Sequence, residues 1–80
     1  MNGTIEITVK LFAQYRENKF KIEKRTYPEG TTAASVISDT GIDLKTFPIG
    51  ILMVNGRHID ENFVLKDGDV LAIFPKVGGG

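Results

Sequence analysis

The chemical group that stands out in this sequence is the α-carboxylate of Gly80, the last residue. It ends a run of three glycines that begins at Gly78 and follows an apolar segment closed by Pro75. Glycine has no side chain to pack and loses much conformational freedom on ordering, so this end adds little to a folded core. The five residues from Lys76 onward reach about 16–18 Å when extended, at about 3.3–3.6 Å each. The tail is therefore long and narrow enough to enter the active site of another protein.

The carboxylate of Gly80 needs a partner before it can react. Its ordinary pKa of about 3.3–3.7 keeps it ionised at neutral pH, and an ionised carboxylate is a poor electrophile. Adenylation by ATP would create a leaving group, after which a sulfur or amine nucleophile could attack the carbonyl carbon. The glycines alone leave a second interpretation open, namely an inert frayed end or a cloning remnant, since termini are commonly disordered.

Length and composition argue against a catalyst. The 80 residues are enough for one domain, and the 41% apolar and 25% charged fractions are those of an ordinary globular protein. A chain of this size buries only about 60–65% of its unfolded surface, which leaves little material for a deep cleft. There is no cysteine, which excludes disulfides, thiolate metal sites and a cysteine nucleophile. The single histidine, His58, lies beside a turn without nearby ligands, so we interpret it as a solvated strand residue.

Charge and hydropathy limit the classes of binding partner and the cellular compartment that we expect for this protein. Lys and Arg balance Asp and Glu, and the basic residues are not concentrated in either half. This balance argues against nucleic acid or an anionic membrane as a partner. No signal peptide pattern is present, and no apolar run approaches the ~20 residues of a membrane span. We therefore expect a cytoplasmic protein.

The first strand is predicted from a period of two between Thr4 and Phe12. Its apolar positions are Ile5, Ile7, Val9 and Leu11. The same parity places Phe12 on the polar face at the end of the strand, and the alternative is a turn that folds this ring back over the core.

A second strand of a hairpin is predicted from Lys19 to Tyr27, after a loop from Ala13 to Asn18. Phe20 and Ile22 share one face of it, opposite several charged residues. Charged outward faces protect edge strands from pairing with other chains, and we prefer this interpretation to an anion site.

One helix is predicted between an N-cap at Thr31 or Thr32 and a left-handed stop at Gly41. Its buried stripe consists of Ala33, Val36, Ile37 and Thr40. In the loop that follows, from Ile42 to Pro48, Leu44 and Phe47 are candidates to cover the core.

The remaining strands are separated by two tight turns. Ile49 to Val54 is followed by Asn55-Gly56, a strong hairpin signal, and by a short return strand, Arg57-His58-Ile59. In the polar stretch before the next turn, Asp67-Gly68-Asp69, three residues are expected to point inward: Phe63, Val64 and Leu65.

The last strand, Val70 to Phe74, is apolar on both parities, so we expect it in the middle of a sheet or buried on both faces. Pro75 then ends its hydrogen bonding and fixes the direction in which the tail leaves. The order of elements predicts an α+β domain, the ubiquitin-like β-grasp: a mixed sheet of four to five strands with one main helix across one face. Residues 1–75 would form this domain and residues 76–80 a flexible glycine-rich tail.

The segment from Leu65 to Gly80 resembles the carboxyl end of the MoaD/ThiS sulfur carriers, with an Asp-Gly-Asp turn, an apolar strand, Phe-Pro and a final Gly-Gly. The resemblance continues in the first strand and the Asn55-Gly56 hairpin, and so covers the whole chain. Phe-Pro-x-Val before the glycines is closer to the small subunit of molybdopterin synthase than to the thiazole-forming carrier. Two positions depart from the usual pattern: Lys76 replaces a common second proline, and Gly78 replaces a small residue such as alanine.

The resemblance implies a carrier that performs no catalysis itself and binds no cofactor. Gly80 would be adenylated by a ubiquitin-activating-type enzyme, which uses ATP, and converted to a thiocarboxylate. Its sulfur would pass to the large subunit of molybdopterin synthase or an equivalent acceptor, in molybdenum or tungsten cofactor biosynthesis. Gly78 and Gly79 would line the narrow passage to the activating site. The implied partner-binding residues are Phe12, Phe74, Pro75, Lys76 and Val77.

Three other functions stay open on the sequence. A thiazole-pathway carrier would use the same chemistry with a different acceptor. A protein modifier would let a lysine amine, rather than sulfur, attack the activated carboxylate. An interaction module with an inert tail would need neither Gly79 nor Gly80.

Overall fold

The computed structural model describes residues 3–76; Met1, Asn2 and residues 77–80 lie outside the described part. The described residues form five strands, one α-helix and one short 3-10 helix. The strands are β1 (Thr4–Leu11), β2 (Ile22–Pro28), β3 (Ile49–Val54), β4 (Arg57–His58) and β5 (Val70–Pro75). The α-helix is α1 (Ala33–Thr40), and the 3-10 helix is Ala13–Arg16.

The five strands make one mixed sheet in the order β2-β1-β5-β3-β4. β1 pairs parallel with β5, and the other neighbours pair antiparallel. The helix covers one face of the sheet, and we call the opposite face the open face. This is the ubiquitin-like β-grasp that the sequence predicts, with both β1 and β5 in interior positions.

The core lies between α1 and the helix-covered face of the sheet. Alternation along β1 is confirmed, because its odd positions are buried: Ile5, Ile7, Val9 and Leu11. Leu71 and Ile73 of β5 are fully buried beside them. Burial of these branched side chains is the main stabilising contribution, at about 1.5–3 kcal/mol for each one fully buried.

The helix begins and ends as its sequence predicts. The Thr32 hydroxyl accepts a hydrogen bond from the Ser35 amide at 3.3 Å, and Gly41 adopts a left-handed conformation with φ of 75°. A β-carbon at Gly41 would be strained there, so the glycine ends the helix at low cost. The predicted stripe is buried against the sheet: Ala33, Val36, Ile37 and Thr40.

The prediction for β2 is wrong about the residue at which the strand begins and about which of its side chains point to the core. The strand begins at Ile22 rather than Lys19, and the Ile22 side chain is 57% exposed on the open face. The reason is register: Ile22 pairs with Lys10, which points away from the helix, whereas Arg25 pairs with buried Ile7. The core side of this edge strand is therefore partly polar.

Polar contacts join that edge strand to the helix. Arg25 Nη1 lies 2.9 Å from Asp39 Oδ2, and the Tyr27 hydroxyl donates to the same oxygen at 2.9 Å. The Phe20 ring lies 5.0 Å from the Arg25 guanidinium carbon. These contacts fix the position of α1 where the sequence led us to expect only apolar packing.

Three further loop predictions need correction. Leu44 and Val64 are exposed rather than turned inward, whereas Ile42 joins the core. Tyr15, in the segment predicted to be a plain loop, is buried, and its hydroxyl donates to the Phe47 carbonyl oxygen. The 3-10 helix places this ring in the core. A single tyrosine without periodic apolar neighbours gives no sequence signal for its burial.

Of the two alternatives predicted for β5, a position in the middle of the sheet is confirmed and burial on both faces is wrong. β5 is the central strand, but its two faces differ. Leu71, Ile73 and Pro75 are buried on the helix side, whereas Val70, Ala72 and Phe74 are only half-buried on the open face. Within residues 3–76, no helix is long and apolar enough to cross a membrane.

A pair of isoleucine substitutions should measure the difference between the two faces. Ile73→Ala should lower the free energy of unfolding by about 2–5 kcal/mol, because the side chain has no exposed surface and its loss leaves a cavity. Ile51→Ala, on the neighbouring strand and 42% exposed, should cost about 1 kcal/mol or less. Urea unfolding monitored by circular dichroism measures both. Equal losses would contradict the assignment of the buried face.

Alkaline pH should destabilise the fold through two tyrosines. Burial raises the pKa of Tyr15 above its ordinary value of 10.0, and the nearby Asp43 carboxylate adds to the shift. Burial likewise is the largest cause of the raised pKa of Tyr27. A raised folded pKa gives stability that is complete below the unfolded pKa and is lost as pH rises through the folded pKa. The free energy of unfolding should therefore fall above about pH 10.

The matched control for this prediction is the double variant Tyr15→Phe, Tyr27→Phe. It removes both titrating hydroxyls, so its unfolding free energy should change less between about pH 8 and pH 11 than that of the wild type. Its absolute stability is expected to be lower, because the hydrogen bonds to Phe47 and Asp39 are lost. An equally steep alkaline slope in both proteins would show that other groups are responsible.

Candidate functional site

Two aromatic rings mark the open face where β1 and β5 end. Phe12 and Phe74 stack with ring centroids 4.1 Å apart and planes inclined by 12°. The parallel register explains their meeting, because Leu11 pairs with Ile73 and the next residue on each strand then falls on the open face. The sequence parity argument for Phe12 is confirmed, and the alternative of a ring folded over the core is wrong.

The stacked rings belong to a larger apolar patch on the open face. We define the apolar patch as Phe12, Phe74, Ile51, Met53 and Ala72. Across the β3–β5 ladder, Ile51 pairs with Phe74 and Met53 pairs with Ala72, so these side chains lie side by side. Ile51 is exposed and the other four members are half-buried. Accessible apolar residues in one contiguous group, rather than scattered singly, are typical of an interaction surface.

Sequence reasoning missed Ile51 and Met53 as members of this patch. The run from Ile49 to Val54 is apolar at nearly every position, so its two faces cannot be separated by pattern alone. The Asn55-Gly56 turn offered a usable signal, because counting back from it in steps of two separates Val54 and Leu52 from the other parity. Both of these residues are indeed buried.

Positive charge surrounds one side of the apolar patch. A small hollow of about 120 Å³ lies beside Phe12, with Leu11 and Ile22 among its lining residues. The three cationic side chains that line it are Lys10, Arg16 and Lys21. An apolar hollow with a cationic rim suits a partner surface that carries carboxylates around an apolar side chain.

The structure separates Pro75 from the apolar patch. Its side chain is buried on the helix side, because it follows Phe74 by one residue and successive side chains of a strand point to opposite faces. The implied membership of Pro75 in an exposed patch is therefore wrong, although Lys76 beside it is exposed. The other residues implied by the resemblance, Val77 and Gly78 to Gly80, lie outside the described residues.

The tail leaves the domain from a well-defined place, which we call the tail root and define as Pro75–Lys76. The Lys76 amide donates to the Pro48 carbonyl oxygen at 2.7 Å, so backbone pairing continues one residue beyond β5. On the opposite side of the strand, the Phe12 amide donates to the Ile73 carbonyl oxygen at 3.2 Å. The tail root is thus held from the β3 side and adjoins the apolar patch, and the prediction that Pro75 ends the hydrogen bonding of the strand is wrong.

The beginning of β5 is fixed by a polar network. Asn55 Nδ2 donates to Asp69 Oδ1 at 2.9 Å, and Asn55 Oδ1 accepts from the Val70 amide at 3.0 Å. The second Asp69 oxygen accepts from the Lys66 amide at 2.8 Å. Asn55, Lys66 and Asp69 line a broad surface hollow around the β3–β4 hairpin, but their hydrogen bonds give them a structural role.

Metal-ligating side chains do not cluster within residues 3–76. No group of three or more His, Cys, Asp or Glu side chains in this range could hold a metal ion. His58 is exposed on the short strand β4, as the sequence predicts for a solvated strand residue. What the described residues bring together is the apolar patch and the tail root.

Comparison with known proteins identifies the family. Residues 9–80 match the family model described as the ThiS family. The chain belongs to the ThiS family. This family consists of small ubiquitin-like carrier and modifier proteins, and the resemblance stated from the sequence is confirmed. Among curated protein sequences, none matches this chain significantly.

Solved structures agree with the family assignment. A protein from Pyrococcus furiosus, described as a candidate molybdopterin converting factor, subunit 1, is 27% identical, with a TM-score of 0.74 over 91% of this chain and 99% of that chain. A complex of subunits 1 and 2 of molybdopterin-converting factor from Helicobacter pylori matches at 25% identity and a TM-score of 0.60, covering 95% of this chain and 100% of that chain. Small archaeal modifier protein 1 from Haloferax volcanii shares the fold at 19% identity and a TM-score of 0.71, over 91% of this chain and 99% of that chain.

Proposed function

We propose that this ThiS-family chain is a sulfur carrier whose Gly80 carboxylate is adenylated by a partner and converted to a thiocarboxylate. The sulfur is then donated in molybdopterin biosynthesis, for the molybdenum or tungsten cofactor. The observation that carries the proposal is the stacked pair Phe12 and Phe74 beside the tail root, because it combines an exposed apolar patch with the start of a three-glycine end.

The chemistry takes place on the carboxylate and is performed by the partners. A carboxylate oxygen of Gly80 attacks the α-phosphorus of ATP, and pyrophosphate leaves. A sulfide-level nucleophile, hydrosulfide, then attacks the acyl carbon, AMP leaves with one carboxylate oxygen, and loss of the sulfur-bound proton gives the thiocarboxylate. Without Cβ atoms, Gly78 and Gly79 can pass a channel too narrow for side chains.

The contribution of this chain is to position the tail for two partners in turn. One is a ubiquitin-activating-type enzyme that supplies ATP chemistry, and the other is a molybdopterin synthase large subunit that accepts the sulfur. The Helicobacter pylori neighbour is solved as a complex of subunits 1 and 2, which supports a large-subunit partner here. The cationic rim at Lys10, Arg16 and Lys21 favours partner surfaces that carry acidic residues.

The proposal predicts a defined change in mass. Incubation with ATP, the cognate activating enzyme and a sulfur donor should replace one oxygen of the Gly80 carboxylate by sulfur. Intact-mass spectrometry should show the corresponding increase, and alkylation of the new sulfur should add one further group. A variant that lacks Gly80 should show neither change, because its new end is one residue short of the reacting position.

The same experiment distinguishes the alternatives. Covalent adducts with lysines of other proteins, absent from the Gly80 deletion, would instead indicate a protein modifier. Transfer of the sulfur to a thiazole-forming enzyme but not to a molybdopterin synthase large subunit would indicate the thiazole pathway. An unchanged mass, under conditions in which the activating enzyme is shown to bind the chain, would contradict both carrier functions and leave the interaction module.

Docking should depend on the apolar patch. Phe12→Ala should weaken binding to the molybdopterin synthase large subunit by about 30-fold or more, since loss of a central aromatic anchor typically costs about 2 kcal/mol or more. Isothermal titration calorimetry gives the affinities. Val64→Ala is the matched control, because Val64 is an exposed apolar residue outside the patch, and it should bind as the wild type does. Equal affinity of the two variants would show that docking uses another surface.

A further inference from the structure

We propose that Gly50 is a positioning residue for adenylation of the Gly80 carboxylate. Because Gly50 lacks a side chain, the backbone of β3 can contact the tail root and set the direction in which the tail leaves. The inference rests on the proposed function and deepens it. It concerns a residue that neither the sequence reasoning nor the apolar patch includes.

Gly50 is the extra residue of a β-bulge. In the β3–β5 ladder, Ile49 pairs with Pro75 and Ile51 pairs with Phe74, so three residues of β3 oppose two residues of β5. A bulge bends its own strand and redirects the residues around it. This one lies opposite the last two residues of the strand from which the tail leaves, and it brings the Pro48 carbonyl oxygen within 2.7 Å of the Lys76 nitrogen.

The contact at Gly50 leaves no space for a side chain. An ideal β-carbon on Gly50 would lie 2.7 Å from the Lys76 Cα, 2.8 Å from the Pro75 carbonyl oxygen and 2.9 Å from the Lys76 nitrogen. All three are backbone atoms, so no rotamer change can relieve the overlap. Either the tail root or the beginning of β3 would have to move, and either movement strains the hydrogen bond between Lys76 and Pro48.

Close approach, and not backbone conformation, is what requires glycine here. Other glycines of the described chain, such as Gly41 and Gly68, have positive φ angles that disfavour any side chain. Gly50 is not among the residues with positive φ, so alanine could adopt its backbone angles. A substitution at Gly50 therefore tests the contact with the tail root without adding torsional strain.

A small rotation of the backbone at the tail root produces a large displacement of the end of the tail. While the channel of the activating enzyme holds the tail extended, a rotation of about 20° at Lys76 would displace the end of a tail of about 16 Å by about 6 Å. Misplacement of a reacting group by about 1 Å can cost about 100-fold in rate. The apolar patch would still dock, because its members lie on the open face and Phe12 keeps its own backbone hydrogen bond to Ile73.

The test compares Gly50→Ala with the wild type in steady-state adenylation by the cognate activating enzyme, measured as pyrophosphate release. We expect kcat to fall about tenfold or more while KM for the carrier stays within about twofold, because docking is retained and alignment is lost. Leu52→Ala is the matched control: it removes a buried side chain from the same strand without approaching the tail root. At a temperature where it remains folded, its kcat should equal that of the wild type.

The outcomes separate this inference from the proposed function. If the wild type is adenylated and the Gly50→Ala variant has the wild-type kcat, the positioning role alone is overturned. If the activating enzyme binds the wild type but does not adenylate it, both the positioning role and the proposed function are overturned. A rise in KM without a fall in kcat would also count against positioning, because it would mean that Gly50 acts through docking.

A second variant covers the case in which Gly50→Ala fails to fold. A semisynthetic chain with an ester in place of the Pro75–Lys76 amide removes the N–H group that donates to Pro48 and adds no atom near Gly50. We expect the same pattern, a lower kcat with an unchanged KM. A wild-type kcat in the ester chain would overturn the proposed alignment of the tail by the β3 backbone.

Discussion

The arrangement of the molecule depends on the position of β5 between β1 and β3. Parallel pairing with β1 and antiparallel pairing with β3 satisfy both edges of this strand, and they assign one face to the core and one to the open face. Leu71 and Ile73 are buried in the core on the helix side, whereas Phe74 is half-buried on the open face. The same six residues therefore hold the fold together and carry the surface and tail root proposed to serve its function.

The features that local patterns determine could be predicted from the sequence. Period-two alternation identified the buried face of β1, and cap chemistry identified both ends of α1. The position of Phe12 on the open face followed from parity alone, before the structure showed its contact with Phe74. These predictions succeed because each depends on the geometry of one element, which a few neighbouring residues set.

The predictions that failed depend on pairing between distant segments. Ile22 lies on the open face because of its register with Lys10, and nothing within β2 determines that register. Tyr15 is buried because a 3-10 helix turns it under the sheet, and Pro75 is buried because it continues the alternation of β5. The bulge at Gly50 is visible only when β3 and β5 are placed together, since Gly50 is not among the residues with positive φ that mark a turn.

The pairing of β1 with β5 also affects how the protein folds. Strands from opposite ends of the chain form the centre of the sheet, and the Glu6 amide donates to Asp67 Oδ1 across 61 positions. Closing so long a loop lowers the conformational entropy of the chain before the stabilising contacts form. Topologies of this kind therefore fold more slowly than those with local contacts. A ribosome-bound nascent chain that still lacks β5 cannot complete this sheet. The apolar patch and the tail root therefore form together, in the last step that completes the sheet, so under the proposed function a partner would contact the tail only on a folded domain.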